Sequence, residues 1–206
     1  MGVPPEELTP RVRQALMRLL QEVDLLRREI GDTQDRLLEM ERLADTDGLT
    51  PIANRRAFVR ELSRVISYGE RYGVPASLLF FDVDDMKSIN DSLGHSAGDE
   101  VLIHVANRLV ANVRESDTVG RLGGDEFAVL LVQANEDAAQ AKGAQLAALI
   151  SATPMRVRGK DLDVQVAFGA YTFKAGEKPT DIIDQADRRM YANKRQRKEA
   201  PKKAQA

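Results

Sequence analysis

The chain has 206 residues, of which 43% are hydrophobic, so it is long enough for one full domain with an appended segment. Its formal net charge of −2 gives no argument for nucleic acid or a membrane surface as a partner, and the lack of cysteine excludes disulfides and thiolate metal sites. The apolar runs are too short for a membrane span, and the N-terminus lacks the order of a signal peptide. We therefore expect a soluble cytoplasmic protein.

The N-terminal segment, residues 1–44, is predicted to form a long helix that pairs as a dimeric coiled coil. Thr9-Pro10 is a favourable helix start, with a hydroxyl N-cap followed by proline. Gly31 weakens the helix locally, but the register continues across it, which favours one continuous helix. The alternative is an amphipathic helix folded back on its own domain. The apolar positions alternate in spacings of four and three, typical of an a/d seam: Val12, Leu16, Leu19, Val23, Leu26, Ile30, Thr33, Leu37, Met40 and Ala44.

Helical and extended patterns alternate in the rest of the chain. A hairpin at the centre, with helices on either side, predicts an α+β domain over residues 45–198 with a mainly antiparallel sheet flanked by helices. The basic segment 199–206 is expected to be a disordered tail. Helices are predicted over 54–72, 88–93, 100–113, 136–151 and 180–195, and strands over 76–83, 117–122, 127–132 and 164–172.

The central hairpin carries two glycines and two acids, Gly123-Gly124-Asp125-Glu126. Glycine pairs tolerate positive φ and favour tight turns, which here would leave bare backbone beside two carboxylates. Asp82 closes an apolar strand, where an unpaired charge is destabilising; a helix cap or a surface turn is the alternative explanation. If the strand of Asp82 lies beside the hairpin, the three acids together favour a hard divalent cation such as magnesium. Two such cations would suit nucleotidyl transfer.

The chain resembles the GGDEF family of diguanylate cyclases over residues 44–198. Several separated segments agree with the family in order and spacing, which a single short motif could not establish. They are Asp47-Gly48-Leu49-Thr50, Asn54-Arg55-Arg56, Phe81-Asp82-Val83-Asp84, Lys87, Asn90, Asp91, Gly94-His95, Gly98-Asp99, Arg121 to Phe127, Ala186-Asp187, Met190-Tyr191 and Lys194.

The resemblance implies a fold like the nucleotidyl cyclases and the polymerase palm, and the condensation of two GTP molecules into cyclic di-GMP and two pyrophosphates. Attack by the 3′-hydroxyl of one GTP on the α-phosphate of the other would be assisted by two Mg²⁺ ions, or by Mn²⁺. By position, Asp82, the Val83 carbonyl and Asp125 match the metal ligands, with Glu126 in support. Asp125 also matches the family's proton acceptor.

The resemblance also implies a set of substrate contacts. Asn90 and Asp99 match the positions that bind guanine, and a carboxylate with an amide suits the donor and acceptor edges of that base. Gly124 would let the nucleotide approach the backbone. Lys87 and Lys194 match phosphate contacts, and Lys198 stands near the place of the family's usual arginine. A lysine there would still neutralise phosphate but could not form a bidentate fork. Arg121 either contacts phosphate or covers the sheet.

Arg114 and Asp117 stand where the family has its inhibitory RxxD motif, which implies feedback inhibition by cyclic di-GMP. A surface ion pair at a helix end is the alternative. Because each subunit would hold one GTP, a homodimer is expected, joined by the coiled coil. The signal would come from an unidentified sensor partner or a longer chain, unless dimerisation is constitutive. The alternatives to an enzyme are an inactive cyclic di-GMP or GTP receptor and a coiled-coil scaffold; the acids argue for the enzyme.

Overall fold

The chain divides into two compact units, Met1–Ala44 and Asp45–Ala206. The computed structural model describes residues 9–203 except 158 and 175, and within this range it describes the side chains except those of 35, 37–39, 41–43, 160 and 198–203. None of the helices in the described ranges is long and apolar enough to cross a membrane.

Helix α1 (Pro10–Asp45) accounts for the described part of the first unit. The Thr9 hydroxyl caps it by accepting a hydrogen bond from the Val12 N–H at 3.3 Å. The helix runs through Gly31 without interruption, so the prediction of one continuous helix is confirmed. Seam residues such as Leu19 and Leu26 are 57% and 49% exposed in the single chain. The pairing of this helix with a second copy stays a prediction.

The second unit is built around a five-stranded sheet with strand order β1-β3-β4-β2-β7. Its only parallel pair is β1 with β3, and the other three neighbouring pairs are antiparallel. The α+β prediction is confirmed by this arrangement. The strands are β1 (Ala53–Asn54), β2 (Ala76–Val83), β3 (Thr118–Arg121), β4 (Glu126–Val132) and β7 (Val166–Phe173). A separate hairpin consists of β5 (Met155–Val157) and β6 (Lys160–Leu162).

Helices cover both faces of this sheet. They are α2 (Arg55–Tyr72), α3 (Met86–Leu93), α4 (His95–Ala111), α5 (Glu136–Ser151) and α6 (Pro179–Lys203). One core cluster joins α3, α4 and α5 to one face, and the other joins α2 and α6 to the opposite face. Strand β2, which lies between β4 and β7, is buried on both sides, with Leu79 and Phe81 in one cluster and Leu78 and Phe80 in the other. Burial on both faces explains why its sequence is continuously apolar instead of alternating.

Three parts of the second unit differ from the predicted elements. Helix α4 begins at His95 and not at residue 100, because Gly94, with φ 86°, reverses the chain in one residue after α3. Helix α6 continues to Lys203 and so includes residues 199–203, for which the sequence predicted disorder; residues 204–206 lie outside the described part. The short strands β1, β5 and β6 were not predicted.

Candidate active site

The acids that the sequence singled out meet at one end of the sheet. In the register of β2 with β4, Asp82 lies directly opposite Glu126. The backbone N–H of Val83 donates a hydrogen bond to the Asp125 carbonyl at 3.1 Å, which holds the hairpin turn against the end of β2. Antiparallel pairing therefore brings residues from distant parts of the sequence to a common edge.

The proximity of these carboxylates changes their acidity. Partial burial raises the pKa of Asp82, and the negative charges of Asp125 and Asp84 add to the effect, while Lys194 opposes it. Burial likewise raises the pKa of Glu126, again with a contribution from Asp125. Charge is thus concentrated at this edge beyond what the surrounding protein neutralises, which favours a cationic ligand.

Lys194 supplies the nearest positive charge. Its ammonium donates a hydrogen bond to Asp82 and lies 3.3 Å from Asp84 Oδ1. Burial alone would lower the pKa of Lys194, but these two carboxylates raise it overall. Arg197, three residues further along α6, donates hydrogen bonds to the Val166 carbonyl at 2.7 Å and to the Gln165 side chain at 2.8 Å. The turn of α6 that carries Lys194 and Arg197 is therefore bound to the sheet edge that carries the acids.

The donor set fits a hard divalent cation, although the acids do not enclose one by themselves. Among the described residues, no group of three His, Cys, Asp or Glu side chains is close enough to hold a metal ion. Asp84 Oδ1 is nevertheless buried with no hydrogen-bond partner of good geometry. The Lys194 ammonium, 3.3 Å from this oxygen, and the Arg197 guanidinium, 3.4 Å from Asp84 Oδ2, supply the positive charge beside Asp84. The sequence did not assign Asp84 a metal or phosphate role. Asp85 holds the N-cap position of α3 without a side-chain hydrogen bond.

The hairpin turn differs from the predicted one. Neither Gly123 nor Gly124 has positive φ, so the expectation of a left-handed glycine turn was wrong. Space explains the first glycine: a Cβ at Gly123 would lie 2.9 Å from Cδ of Glu126, whose carboxylate folds over it. At Gly124 a Cβ would meet nothing within 4 Å, and this residue is exposed. Bare backbone at Gly124 is therefore open to a ligand.

The Arg121 side chain stabilises this turn through a hydrogen bond to its backbone. Its guanidinium donates to the Gly124 carbonyl at 2.7 Å and pairs with Asp47 Oδ1 at 3.0 Å. Asp47 also accepts a hydrogen bond from the Thr50 hydroxyl at 2.7 Å. Arg121 is thus engaged by the hairpin turn and by Asp47, and its contact with phosphate stays a prediction.

Three of the residues predicted to contact the nucleotide lie on α3 and α4. Asn90 is half-buried on α3, and Asp99 is exposed in the second turn of α4, with Gly94 as the connection between the helices. Lys87 is exposed in the first turn of α3. The side chain of Lys198 lies outside the described residues.

Arg114 and Asp117 lie at the far end of the hairpin. They line a surface cleft together with Lys142, which the sequence gave no reason to select. The Asp117 carboxylate accepts hydrogen bonds from the backbone N–H groups of Arg114, at 3.0 Å, and Val132, at 3.3 Å. The acid of this pair is thus already used by the fold, whereas the Arg114 side chain is exposed in the cleft.

Comparisons with known proteins agree with this geometry. The model of the family described as "Diguanylate cyclase, GGDEF domain" matches residues 44–200. The chain belongs to the GGDEF family. It is 36% identical over 150 residues to the diguanylate cyclase DosC of Escherichia coli, covering 72% of this chain and 33% of DosC. It is 32% identical over 180 residues to the diguanylate cyclase DgcP of Pseudomonas aeruginosa, covering 87% of this chain and 27% of DgcP. The chain therefore spans about a third or less of these curated relatives.

Solved structures of family members have the same fold. The coiled coil and GGDEF domain of DgcB from Caulobacter crescentus, in complex with c-di-GMP, superposes with a TM-score of 0.78 at 29% identity and covers 86% of this chain and 94% of that one. The diguanylate cyclase SiaD from Pseudomonas aeruginosa, in complex with its activator SiaC, has a TM-score of 0.75 at 29% identity, covering 90% of this chain and 72% of SiaD. The likeness to DgcB extends over most of the chain.

Proposed function

We propose that this GGDEF chain is a cytoplasmic diguanylate cyclase that condenses two GTP molecules into cyclic di-GMP and two pyrophosphates. The observation that carries the proposal is the edge where Asp82 lies opposite Glu126 with Asp125 beside them. Such crowded oxygen donors have no evident purpose in stabilising the fold, since burial and mutual repulsion disfavour their charged forms. A divalent cation and a triphosphate would compensate that unfavourable charge.

The metal site is proposed to consist of Asp82, the Val83 carbonyl and Asp125, with Glu126 in support. Mg²⁺ suits oxygen ligands of this kind, two ions are proposed per site, and Mn²⁺ is the alternative. When bound, the cations would neutralise phosphate charge and lower the pKa of the attacking hydroxyl. Asp125 is the proposed acceptor of the proton from that 3′-hydroxyl.

The remaining contacts are assigned to the nucleotide. Asn90 and Asp99 are proposed to bind the guanine, where the carboxylate accepts from the N–H groups and the amide donates to an acceptor. Gly124 leaves room for the nucleotide against the backbone. Lys87, Lys194 and Lys198 are proposed to contact the phosphates. Lys194 would exchange its carboxylate partners for phosphate oxygens once cations neutralise the acids.

A homodimer is proposed, because one domain offers one GTP site and the reaction joins two GTP molecules. The seam of α1 would hold two domains at high effective concentration. This helix is also the proposed input for a sensor partner, and the complex of the related SiaD with its activator supports regulation by a second protein.

Two leucines of α1 give a matched test of the dimer. Leu26 lies on the seam and Leu25 beside it, and they are similarly exposed at 49% and 57%. Leu26→Asp is expected to convert the dimer to monomer in analytical ultracentrifugation and to abolish turnover, because a charge in the seam cannot be solvated. Leu25→Asp should leave both properties unchanged. Dissociation by both variants, or by neither, would contradict the predicted seam.

The RxxD cleft is proposed to bind cyclic di-GMP as a feedback inhibitor. Arg114 and Lys142 offer cations for the phosphates in the cleft that Asp117 also lines. The guanidinium could grip a guanine edge as well.

The activity itself is tested by incubating the purified chain with GTP and Mg²⁺ and measuring pyrophosphate and cyclic di-GMP. We expect both products in a 2:1 ratio. A dimeric protein that binds nucleotide but forms neither product would instead indicate a receptor, and one that binds no nucleotide would indicate a scaffold.

A further inference from the structure

Gly98 is a buried glycine in the first turn of α4, next to Asp99. Its φ is not positive, so no backbone requirement selects glycine at this position. Inside a helix, glycine is less favourable than alanine by about 1 kcal/mol. The sequence therefore retains a residue that weakens α4, and a side-chain neighbour must explain it.

That neighbour is the amide of Asn90. A Cβ built on Gly98 would overlap Oδ1 of Asn90, closer than real Cβ atoms approach other groups, and would lie 3.0 Å from its Cγ. The Cε of Met86 would lie 3.3 Å away, a contact that a small movement relieves. Only the absence of a side chain at Gly98 lets the Asn90 amide lie against α4.

The turn between the two helices holds this arrangement. The Gly94 N–H donates a hydrogen bond to the Asn90 carbonyl at 2.9 Å, and Gly94 then reverses the chain directly into α4. The backbone of Asn90 is thus fixed, whereas its amide is the free end of a flexible side chain. A Cβ at Gly98 would displace the amide sooner than it would displace the helix.

We propose that Gly98 is a specificity-determining positioning residue for the purine base, because it seats the Asn90 amide beside Asp99. This inference rests on the proposed function, in which Asn90 and Asp99 bind guanine. Moving the amide by the width of a methyl group breaks its hydrogen bond to the O6 acceptor of guanine, where adenine carries an amino donor instead. The preference for GTP over ATP falls while the phosphate contacts stay.

The experiment measures the affinities of the full chain for GTP and ATP by displacement of a fluorescent GTP analogue. It compares the wild type with Gly98→Ala, Asn90→Ala and the double variant. Asn90→Ala is expected to reduce the ratio of the affinities about tenfold, the value of one lost hydrogen bond. Gly98→Ala should reproduce that loss, and the double variant should lose no more than Asn90→Ala alone. Gly31→Ala is the matched control: this helical glycine has nothing within 4 Å of its Cβ position, and the ratio should not change.

Thermal unfolding separates positioning from a general structural effect. With Asn90 truncated, the Cβ at residue 98 has room, so Gly98→Ala should raise the melting temperature in that background. If Gly98→Ala alone does not fold but the double variant does, the clash with Asn90 is demonstrated directly. Failure of both to fold would overturn the inference.

The measured preference for GTP over ATP separates failure of the Gly98 inference from failure of the proposed function. A normal GTP preference in Gly98→Ala, together with a reduced one in Asn90→Ala, would overturn the role of Gly98 and leave the proposed function intact. An unchanged preference in Asn90→Ala would contradict the guanine assignment itself, and the inference would fall with it.

Discussion

The two ends of the β3–β4 hairpin treat their acids differently. At the far end, the Asp117 carboxylate accepts two backbone hydrogen bonds, so it has a structural role before any ligand is considered. At the turn end, the Asp82 carboxylate accepts a hydrogen bond from the Lys194 ammonium, and burial and neighbouring acids raise the pKa of Glu126. An acid that the backbone satisfies stabilises the fold, whereas crowded acids destabilise it until a cation binds. The predictions below test this difference.

The largest effect is expected from Asp125→Asn at the turn end. Asparagine keeps the size of the side chain but removes the proposed proton acceptor and metal ligand, so turnover should fall at least about a hundredfold. Cyclic di-GMP formation is the measurement, with circular dichroism as the control for folding. Activity within a few-fold of wild type would show that the turn end is not the catalytic site.

At the far end, Arg114→Ala should release feedback inhibition without changing basal turnover. Charged hydrogen bonds are worth ~1.5–3 kcal/mol each, so the inhibition constant for cyclic di-GMP should rise about tenfold or more. Inhibition equal to that of wild type would contradict the proposed cleft.

Asp117→Ala is the companion to that variant. It should also weaken inhibition, but in addition it should lower the free energy of unfolding by about 1 kcal/mol, because two backbone N–H groups lose their acceptor. Urea unfolding without cyclic di-GMP measures this difference in stability, with Arg114→Ala as the stable reference. Equal stability of the two variants would contradict a structural role for the Asp117 carboxylate.

The two glycines of the turn allow a finer comparison. Gly123→Ala would push against the Glu126 carboxylate, so it should reduce the stabilisation that Mg²⁺ confers in thermal unfolding. Gly124→Ala meets no protein atom, so it should leave that stabilisation unchanged and weaken GTP binding by about tenfold. Identical behaviour of the two variants would contradict separate roles for the glycines.

The smallest effect concerns the pH dependence of stability without metal. The folded-state pKa of Glu126 lies above its ordinary value, so its stabilising contribution is present at low pH and is lost as pH rises through the folded pKa. With a chelator present, the free energy of unfolding of Glu126→Gln should therefore fall less than that of the wild type between acidic and neutral pH. The difference should be roughly a few tenths of a kcal/mol, because solvent screens the site. With Mg²⁺ added, the wild type should instead lose less stability than Glu126→Gln over the same pH range. The same pH dependence of stability in the variant and the wild type would show that burial and neighbouring acids do not disfavour the charged form of Glu126.

Much of the fold follows from local patterns. The continuous helix α1 was predictable because the apolar spacing keeps its register through Gly31, and β2 matches its predicted bounds because it is apolar on both faces. The beginning of α4 was missed because two glycines in its first turn and at its cap weaken the helical pattern. The two-residue strand β1 is defined by its pairing with β3 and by a bridge from Ala53 to Thr46, and no local pattern encodes the pairing with β3.

The sequence by itself determined which chemical groups are present: its acids favour a divalent cation, and its resemblance to the GGDEF family implies nucleotide contacts for the amide and the lysines. Tertiary structure decided which of them meet. Lys194 contacts Asp82 across 112 positions of sequence, and Arg197 reaches Val166 across 31. It also decided that Arg121 serves the hairpin and that the glycines provide space for side chains. The physical reason is that sheet register and helix packing fix these distances, whereas a sequence pattern records only residue identity and spacing.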